Sequence, residues 1–416
     1  MNIGVVMYQT SFTKGQELLA QRMVRELVRQ EHKAFLITGP FHDNKPIVEY
    51  NELERSIKGY LFFEKSEFQV PLIRVDGHIS SWPPRRIMFH DFISILRDLA
   101  NSFKLDVIIS HSTLWNGPEE IAKFMAWKRM LKDQGLDERA MVYAHMSHYQ
   151  PPDPARYDIT ERTYRIAWNT MVFPQIFNTA KLILCVTPVE EDQMIAMGAK
   201  KEQCYLYAGG VDEETFQRHW SKQHLKFLET HSIPADARIV TYLGTVEERK
   251  NPLAVVRVAK MLREIKNLHF VIAGWPSSQD MAVRREAKEL HNLSYVGPVS
   301  DEEKVMLIHA SYINILLSYM EALGLTQLEF MYGGVPIITS AIGGQGWLVR
   351  NGVDGVHVRG PNDLDGAAEA IKTLINNPEL HDRLGANARE RASEFTLSKI
   401  VSELASRLKS LTTIKY

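Results

Sequence analysis

Short apolar runs alternate with longer amphipathic segments along the whole chain. A short apolar run is typical of a strand buried on both faces, and apolar positions three and four apart are typical of a helix packed on a sheet. The alternation therefore predicts an α/β protein with parallel sheets covered by helices. In the first half the predicted strands are Gly4–Tyr8, Ala34–Thr38, Val107–Ser110, Met141–Ala144, Leu182–Val186 and Cys204–Tyr207.

A second series of the same kind begins after residue 237. Its predicted strands are Ile239–Leu243, His269–Ala273, Ser294–Val296, Ile313–Leu317, Val335–Thr339 and Val356–Val358. Helical periodicity appears between them, as it does in Gln16–Arg29 between the first two strands of the chain. A strand, a helix and a second parallel strand form a right-handed crossover, so each series predicts a Rossmann-like half.

A chain of 416 residues is longer than a single hydrophobic core usually supports. We place a first domain at residues 1–212, a linker at 213–237 and a second domain at 238–395. The linker is charged and polar, and it has few strand signals. The end of the chain, residues 396–416, contains a predicted helix that could pack across either domain.

Residues 40–100 predict extra secondary structure inserted into the first domain, without a definite topology. The segment Trp82-Pro83-Pro84-Arg85-Arg86 combines an aromatic side chain with paired arginines. A solvated loop is one interpretation. The other is a rim that meets an anionic acceptor or lipid headgroups.

The composition is that of a soluble globular protein, with 45% hydrophobic and 24% charged residues. A formal net charge of -1 gives no electrostatic reason to expect a nucleic acid partner. The two cysteines, Cys185 and Cys204, form no metal-ligand pattern and are typical of idle thiols in a reducing compartment. No stretch approaches the ~18 apolar residues that cross a bilayer, and the first residues lack signal-peptide features. We therefore expect a cytoplasmic protein, or one attached peripherally to a membrane.

The sequence lacks the motifs of several common classes of enzyme. The first strand is followed by a segment with a single glycine, Gly15, where a dinucleotide fold needs several glycines near the pyrophosphate. The phosphate loop G-x-x-x-x-G-K-[ST], the zinc motif H-E-x-x-H and the hydrolase elbow G-x-S-x-G do not occur either. An NAD site in the first domain is accordingly not expected.

Three histidines follow predicted strands of the first domain. His111 follows Val107–Ser110, and His145 and His148 follow Met141–Ala144. The carboxyl ends of parallel strands face the ligand crevice, so these side chains could contact a substrate. Structural hydrogen bonding is the alternative. No carboxylate or cysteine accompanies the histidines at metal-ligand spacing, so we expect no metal site and no obligatory cofactor.

The most informative stretch runs from Ser318 to Glu329. The apolar strand Ile313–Leu317 ends there, a short loop with Glu321 and Gly324 follows, and a helix begins near Leu325 or Thr326. The first N–H groups of a helix are unpaired and lie at the positive end of its dipole. A glycine before them lets a phosphate approach the backbone. The stretch therefore predicts a diphosphate site that requires no metal.

Glu321 and Glu329 could instead suggest a glycosidase pair. On one continuous helix, eight residues would separate them by about 12 Å along the axis, whereas hydrolase carboxylates lie ~5–9.5 Å apart. We expect Glu321 in the loop and Glu329 in the helix, so the two carboxylates should have separate tasks. One carboxylate can contact a sugar and the other can accept hydrogen bonds from a ribose diol. An ordinary solvated glutamate is the alternative for Glu329 alone.

The spacing of Glu321 and Glu329 around Gly324-Leu325 resembles the E-x7-E motif of the family 4 retaining glycosyltransferases, which have the GT-B fold. That fold has two Rossmann-like domains facing across a cleft. The resemblance extends over most of the chain. Further matching segments, in chain order, are Gly210-Val211-Asp212, Leu243-Gly244 with Lys250, Val271-Ile272-Ala273-Gly274, Tyr332-Gly333-Gly334-Val335-Pro336, and Gly343-Gly344 followed by Asn351-Gly352-Val353-Asp354-Gly355.

The resemblance implies roles for individual residues. Lys250 would neutralise the donor diphosphate, close to Gly244 and Gly274. The backbone from Gly324 through Leu325 to Thr326 would cradle the distal phosphate. Glu329 would hold the ribose hydroxyls, and Glu321 would contact the transferred sugar. In the first domain, Gly15 would face the donor phosphates and His145 would lie near the reacting carbon.

Two positions depart from the family pattern. Thr245 stands where an arginine often follows the glycine of the Lys250 segment, and Arg249 could take over its charge. Trp347 stands where an acidic residue is expected after Gly343-Gly344. The second departure predicts an altered pocket for the sugar or the base.

The resemblance implies a hexosyltransferase that uses a UDP- or GDP-sugar as donor. The acceptor would be a small molecule, a glycan or a lipid-linked glycan, and the anomeric configuration would be retained. Two other interpretations remain open. A nucleotide-sugar epimerase or hydrolase would share the fold but need no acceptor, and a non-catalytic subunit would bind the sugar nucleotide without reaction.

Overall fold

The computed structural model describes residues 1–11, 15–47, 49–80, 87–135, 140–149, 151–154, 157–220 and 224–413. The segment 82–86, for which a rim was one interpretation, lies outside these ranges. The chain divides into two compact units, Met1–Ala208 with Ile400–Tyr416, and Gly209–Lys399. The prediction of two α/β halves with parallel sheets is confirmed.

The strands of the first unit are β1 (Asn2–Met7), β2 (Lys33–Thr38), β3 (Phe41–His42), β4 (Lys45–Pro46), β5 (Tyr60–Phe63), β6 (Leu72–Val75), β7 (Gly77–Ile79), β8 (Ile87–Phe89), β9 (Val107–His111), β10 (Val142–Met146), β11 (Leu182–Cys185) and β12 (Cys204–Leu206). Its helices are α1 (Gly15–Arg29), α2 (Tyr50–Glu54), α3 (Phe92–Ser102), α4 (Asn116–Asp133), α5 (Ile159–Thr179) and α6 (Pro188–Ala196).

The first unit is built on an eight-stranded sheet with the order β12-β11-β10-β9-β1-β2-β6-β5. All neighbouring strands are parallel except β5, which pairs antiparallel with β6 at the edge. The order places β1, β9 and β10 in the centre, where their apolar side chains are buried on both faces. Residues 40–100, which had no predicted topology, supply β5, β6 and two antiparallel pairs, β3 with β4 and β7 with β8.

The strands of the second unit are β13 (Arg238–Leu243), β14 (Leu268–Ala273), β15 (Leu293–Gly297), β16 (Ser311–Leu316), β17 (Ile337–Thr339) and β18 (Gly355–His357). The helices that begin in it are α7 (Glu213–His219), α8 (His224–Thr230), α9 (Pro252–Met261), α10 (Asp280–Ala287), α11 (Asp301–Ala310), α12 (Leu325–Tyr332), α13 (Gln345–Leu348), α14 (Leu364–Asn376), α15 (Pro378–Ser393) and α16 (Leu397–Thr413).

The second unit has a six-stranded parallel sheet with the order β15-β14-β13-β16-β17-β18. The segment expected to be a linker, 213–237, instead carries α7 and α8 and belongs to this unit. Its few apolar side chains explain the difference, because Phe216, Phe227 and Leu228 are buried and both helices pack against α11. From Ile400 onward, α16 groups with the first unit. In the described ranges, none of the helices combines the length and apolarity needed to span a bilayer.

Candidate functional site

The sheet of the second unit brings three loops to one edge. β13 lies between β14 and β16, and the loops that follow these strands contain Gly244, Gly274 and Ser318. The carboxyl ends of parallel strands form the binding edge of an open α/β sheet. The strand order therefore brings together residues that lie far apart in the sequence, such as Gly244 and Ser318.

Two cations and a hydroxyl group converge on one oxygen of Glu321. Lys250 Nζ lies 3.3 Å from Glu321 Oε1, and Arg249 Nη1 lies 3.5 Å from the same oxygen. Ser318 Oγ donates to it at 3.3 Å. The Glu321 and Lys250 side chains are only 11% and 15% exposed, so their interaction is less screened than a surface ion pair. Sequence reasoning assigned no role to Ser318.

Arg249 has further acceptors around its guanidinium group. It donates to the Met320 carbonyl at 2.8 Å and to Glu247 Oε1 at 2.5 Å. Burial lowers the pKa of Arg249, but the carboxylates of Glu321 and Glu247 outweigh burial and raise this pKa above its ordinary value. The guanidinium group therefore stays charged beside Lys250. Thr245 contributes only its carbonyl, which accepts a hydrogen bond from the Tyr242 hydroxyl at 2.8 Å.

Two glycines allow the loops after β13 and β14 to touch. Gly274 has a φ of +143°, and a Cβ on it would lie 1.8 Å from the Gly244 carbonyl oxygen. A Cβ on Gly244 would lie 3.1 Å from Lys250 Cδ. A larger residue at Gly274 would thus separate the loops. The pair of glycines keeps the backbone of Gly244 next to the Lys250 side chain.

Gly324 is the N-cap of α12, with a φ of +95°. Leu325 begins the helix and Thr326 follows it, as the sequence predicted. The first N–H groups of the helix have no partner within the helix and lie at the positive end of its dipole. A Cβ on Gly324 would lie 2.8 Å from Gln327 Oε1. The backbone conformation therefore favours glycine here, and any side chain would also displace the Gln327 amide.

Two buried amide side chains lie beneath the start of α12. Gln327 is fully buried, and among the described residues neither its Nε2 nor its Oε1 atom has a hydrogen-bond partner. Gln345 is also fully buried, and its Oε1 accepts from Ser340 Oγ at 3.1 Å. A buried polar atom without a partner is costly and is concentrated at functional positions. Sequence reasoning did not identify either amide, because nothing in a lone glutamine signals burial.

Glu329 lies inside α12 and is 5% exposed. Its Oε1 accepts a hydrogen bond from Lys304 Nζ at 3.0 Å, and the two side chains are 7% and 13% exposed. The interpretation of Glu329 as an ordinary solvated glutamate is therefore wrong. Lys304 was missed by sequence reasoning. Its position near the N-terminus of a helix was a signal, because a cation is disfavoured at the positive end of the dipole.

Trp347 turns toward the end of α15 in the second unit. Its ring packs edge-on against Phe395 with centroids 5.5 Å apart. The guanidinium carbon of Arg391 lies 5.1 Å from the centre of the Trp347 ring. Trp347, which departs from the family pattern, thus packs against Phe395 and Arg391.

In the first unit, His145 lies inside β10 rather than after it, which corrects the expected strand end. His145 is fully buried, and its Nδ1 is 2.8 Å from Ser110 Oγ on the neighbouring strand β9. Ser110 Oγ is also 2.9 Å from the Tyr143 hydroxyl. The Nε2 atom of His145 has no hydrogen-bond partner in the part of the chain that the structure describes. Nδ1 is thus held by Ser110, whereas Nε2 is buried without a partner among the described residues.

His111 and His148 are buried close to each other. His111 is the last residue of β9 rather than the residue after it, and His111 Nδ1 lies 3.4 Å from His148 Nε2. Burial lowers the pKa of His145 and of His148 to about 3, and it lowers the pKa of His111 well below its ordinary value. All three rings are therefore neutral at neutral pH. Within the described ranges, no group of three or more His, Cys, Asp or Glu side chains could hold a metal ion.

Gly15 is the first residue of α1. A Cβ on Gly15 would meet no heavy atom within 4 Å among the described residues. Packing in the first unit therefore does not require glycine at this position. Residues 12–14, which precede it, lie outside the described ranges.

Two family models match the chain in succession. Residues 13–215 match Glycosyltransferase Family 4, and residues 225–391 match Glycosyl transferases group 1. Among curated proteins, the D-inositol 3-phosphate glycosyltransferase of Corynebacterium diphtheriae is 24% identical over 242 residues, which is 56% of this chain and 56% of that protein. The chain thus spans about half the length of the curated relatives that it matches.

Solved structures share the whole fold. The Anabaena protein HepE in complex with UDP has a TM-score of 0.70 at 15% identity, covering 99% of this chain and 100% of that one. Sucrose-phosphate synthase from Thermosynechococcus elongatus has a TM-score of 0.69 at 19% identity, covering 99% and 98%. These likenesses confirm the fold class that the sequence predicted.

Proposed function

Because this chain belongs to glycosyltransferase family 4 and has its GT-B fold, we propose that it transfers a hexosyl group from a UDP- or GDP-sugar to an acceptor hydroxyl. The configuration at the anomeric carbon is retained. The acceptor is a small molecule, a glycan or a lipid-linked glycan. The relatives named as D-inositol 3-phosphate glycosyltransferases and the UDP complex of HepE support this class of reaction.

One observation carries the proposal. Lys250 and Arg249 approach the same oxygen of Glu321, and Glu321 lies three residues before Gly324, the N-cap of α12. Cations and helix N-terminal N–H groups are two common ways in which proteins bind phosphate without a metal. A carboxylate within such a cationic cluster suits a neutral sugar attached to that phosphate. The cluster therefore fits a sugar diphosphate better than an isolated phosphate.

The other predicted residues take roles around this cluster. Lys250 and Arg249 neutralise the diphosphate, and the backbone of Gly324, Leu325 and Thr326 binds its distal phosphate. Gly244 and Gly274 have no side chains, so the nucleotide can come close to the backbone of these two loops.

Glu329 accepts hydrogen bonds from the ribose diol, and Glu321 contacts the sugar. In the first unit, Gly15 faces donor phosphate and His145 is a substrate contact. The neutral His145 ring, held through Nδ1, has Nε2 for that contact.

The reaction exchanges one bond at the anomeric carbon for another. The bond from C1 to the phosphate oxygen breaks, and a bond from C1 to the acceptor oxygen forms on the same face. The acceptor proton passes to the departing phosphate oxygen, so atoms and charge balance. Lys250, Arg249 and the N-terminus of α12 stabilise the negative charge that develops on the leaving diphosphate. Catalysis comes from positioning and electrostatics rather than from a protein nucleophile.

A nucleotide panel tests the donor site. Thermal unfolding of the protein is followed with UDP, GDP, ADP and the corresponding glucose nucleotides. A ligand that binds the folded state raises the midpoint, and we expect UDP or GDP and its sugar to do so while ADP does not. If none of these compounds raises the midpoint, the proposed function is wrong.

Product analysis then separates transfer from the other reactions. The sugar nucleotide that binds is incubated alone and with a panel of hydroxyl acceptors, and the products are identified by mass spectrometry and by the proton coupling at the anomeric carbon. Transfer predicts nucleoside diphosphate release that depends on the acceptor, with retained configuration. Conversion of the donor without acceptor would identify an epimerase or a hydrolase. Binding without any turnover would identify a non-catalytic subunit.

A further inference from the structure

We propose that Lys304 is a positioning residue for donor recognition, which holds the Glu329 carboxylate in the orientation that accepts the ribose diol of a nucleoside diphosphate. Lys304 is then a determinant of selectivity for a ribonucleotide over its 2′-deoxy counterpart. This inference rests on the proposed function, in which Glu329 binds ribose. It extends the site to a residue on a different helix.

The contact between the two side chains is short and enclosed. Lys304 Nζ lies 3.0 Å from Glu329 Oε1, and the side chains are 13% and 7% exposed. A carboxylate taken this far from water is stable only with a charged or hydrogen-bonding partner. Lys304 is such a partner, so its ammonium group restricts the orientation of the Glu329 carboxylate.

The start of α11 fixes the position of Lys304. Ser300 and Glu303 form a capping box, in which the Ser300 side chain accepts from the Glu303 N–H and the Glu303 side chain accepts from the Ser300 N–H. Lys304 follows directly, in the first turns of the helix. A cation near this end opposes the helix dipole, so its placement there requires compensation by carboxylates.

Two carboxylates approach Lys304, and burial distinguishes them. Asp301 Oδ1 lies 3.1 Å from Lys304 Nζ, but the Asp301 side chain is 72% exposed. Water screens that pair, and such exposed pairs contribute little. Glu329 is the enclosed partner, and the Lys304–Glu329 pair is therefore the one whose loss changes the site.

The contact with Lys304 involves one of the two Glu329 oxygens. A carboxylate has two oxygens, each of which can accept more than one hydrogen bond, and Lys304 donates to Oε1. A ribose diol can donate its two hydroxyl hydrogens to the same carboxylate. Hydrogen bonds to an ionised, fixed carboxylate are stronger than those to a neutral or reorienting one. Removal of Lys304 should therefore weaken binding specifically where the ligand has a 2′-hydroxyl group.

The test compares nucleotide pairs on charge-removing variants. Calorimetry gives Kd for UDP and 2′-deoxy-UDP, and for GDP and 2′-deoxy-GDP, with the full-length protein. In Lys304→Met, we expect Kd for the ribonucleotide to rise about tenfold, the scale of one charge-assisted hydrogen bond, and Kd for the deoxynucleotide to rise less. The ratio of the two constants should therefore fall toward one. Lys304→Arg should recover part of the ratio, because it keeps the positive charge.

Two further variants separate positioning from a general effect of mutation. Lys372→Met removes a lysine that is 46% exposed and 3.9 Å from its carboxylate partner, and we expect the wild-type ratio. The combination of Lys304→Met with Glu329→Gln should bind UDP no more weakly than Glu329→Gln alone, because Lys304 acts through Glu329. Circular dichroism checks that each variant is folded. If Lys304→Met is not folded, Lys304→Gln, which also removes the charge, is compared with the wild type instead.

The outcomes separate this inference from the proposed function. Wild-type protein that binds neither UDP nor GDP would contradict the proposed function itself. Wild-type protein that prefers the ribonucleotide, with an unchanged ratio in folded Lys304→Met and Lys304→Gln, would overturn the role of Lys304 and leave the donor site in place. Wild-type protein that binds UDP or GDP without preferring the ribonucleotide would also overturn it. A reduced ratio in the Lys304 variants, with the wild-type ratio in Lys372→Met, supports it.

Discussion

The ammonium group of Lys250 lies 3.3 Å from Glu321 Oε1, in an environment where both side chains are mostly buried. Lys250 is in the loop after β13, and Glu321 is in the loop after β16, so the pair joins two neighbouring strands of the parallel sheet. The charge of Lys250 is compensated by this carboxylate. A diphosphate that binds here would share Lys250 with Glu321.

Replacement of Lys250 tests its role in binding the diphosphate. In Lys250→Met we expect Kd for UDP or GDP to rise at least about tenfold, because a charge-assisted contact to phosphate is lost. The dependence of Kd on salt should also become weaker, since one cation no longer contributes. Calorimetry at two salt concentrations gives both quantities.

Lys260→Met is the matched control for that experiment. Lys260 is exposed in the last turn of α9, and its loss should leave the nucleotide Kd unchanged. Equal Kd values for Lys250→Met and the wild type would show that Lys250 does not touch the diphosphate.

Gly324 should tolerate no side chain. Its φ of +95° strains any L-residue, and a Cβ would lie 2.8 Å from the oxygen of Gln327. We expect Gly324→Ala to lower the free energy of unfolding by about 1–3 kcal/mol and to weaken nucleotide binding, because the N-terminus of α12 must shift. Urea unfolding and calorimetry measure these effects.

Gly360→Ala provides the comparison for Gly324→Ala. A Cβ on Gly360 would meet no heavy atom within 4 Å in the described part of the chain, and the φ of Gly360 lies outside the left-handed region. We expect it to be neutral or slightly stabilising. If the two alanine variants are equally stable, the conformation of Gly324 is not the constraint that we infer.

The buried histidines of the first unit make stability depend on pH. The pKa of His145 is lowered by burial, and secondarily by His148, to about 3, whereas an unfolded histidine titrates near 6.5. The unfolded chain therefore binds the proton first as the pH falls. This contribution to stability is fully present above about pH 6.5 and is lost between about 6.5 and 3, by about 1.4 kcal/mol per pH unit for each such histidine.

His145→Gln checks this expectation. Thermal midpoints are measured at pH 7 and pH 5 for the variant and the wild type. We expect the drop between the two pH values to be smaller in the variant, since one titrating group is gone. A drop of the same size would mean that His145 does not contribute to the acid sensitivity.

Much of the fold could be predicted because parallel strands are continuous apolar runs. Ile239–Leu243 and His269–Ala273 were predicted within one residue of β13 and β14. The end of β10 was not predicted correctly, because a polar residue follows the apolar run. β10 continues through His145 because Ser110 on the next strand bonds its Nδ1, and this partner is 35 residues away.

Arg74 illustrates why no topology could be predicted for residues 40–100. It lies inside β6 with 2% exposure, and it donates to the carbonyl oxygens of Gly39 and Phe41. A buried arginine breaks the apolar pattern that identifies a strand. Its acceptors are more than 30 residues away in the chain, so they are visible only in the folded structure.

In the candidate site, too, contiguous features could be predicted and contacts between distant residues could not. The stretch from Ser318 to Glu329 was predictable because its strand, glycine and helix are contiguous in the sequence. The partners of its two glutamates were not. Lys304 and Lys250 reach Glu329 and Glu321 from other elements of the unit, and only the packing of the sheet and helices brings them close.

The two glutamates provide the most direct test of the central claim, which is that the second unit binds a nucleotide-sugar donor with Glu329 on the ribose and Glu321 on the sugar. The measurement is the calorimetric Kd of the free nucleoside diphosphate, UDP or GDP, for Glu329→Ala and Glu321→Ala. Free diphosphate contains the ribose and lacks the sugar. Glu329→Ala should therefore weaken binding by about 1.5–3 kcal/mol. Glu321→Ala should bind the diphosphate as tightly as the wild type or more tightly, because Lys250 and Arg249 lose a competing carboxylate, and its defect should appear in kcat. Loss of diphosphate affinity in Glu321→Ala but not in Glu329→Ala would reverse the assignment, and full transfer activity in both variants would contradict the proposed function.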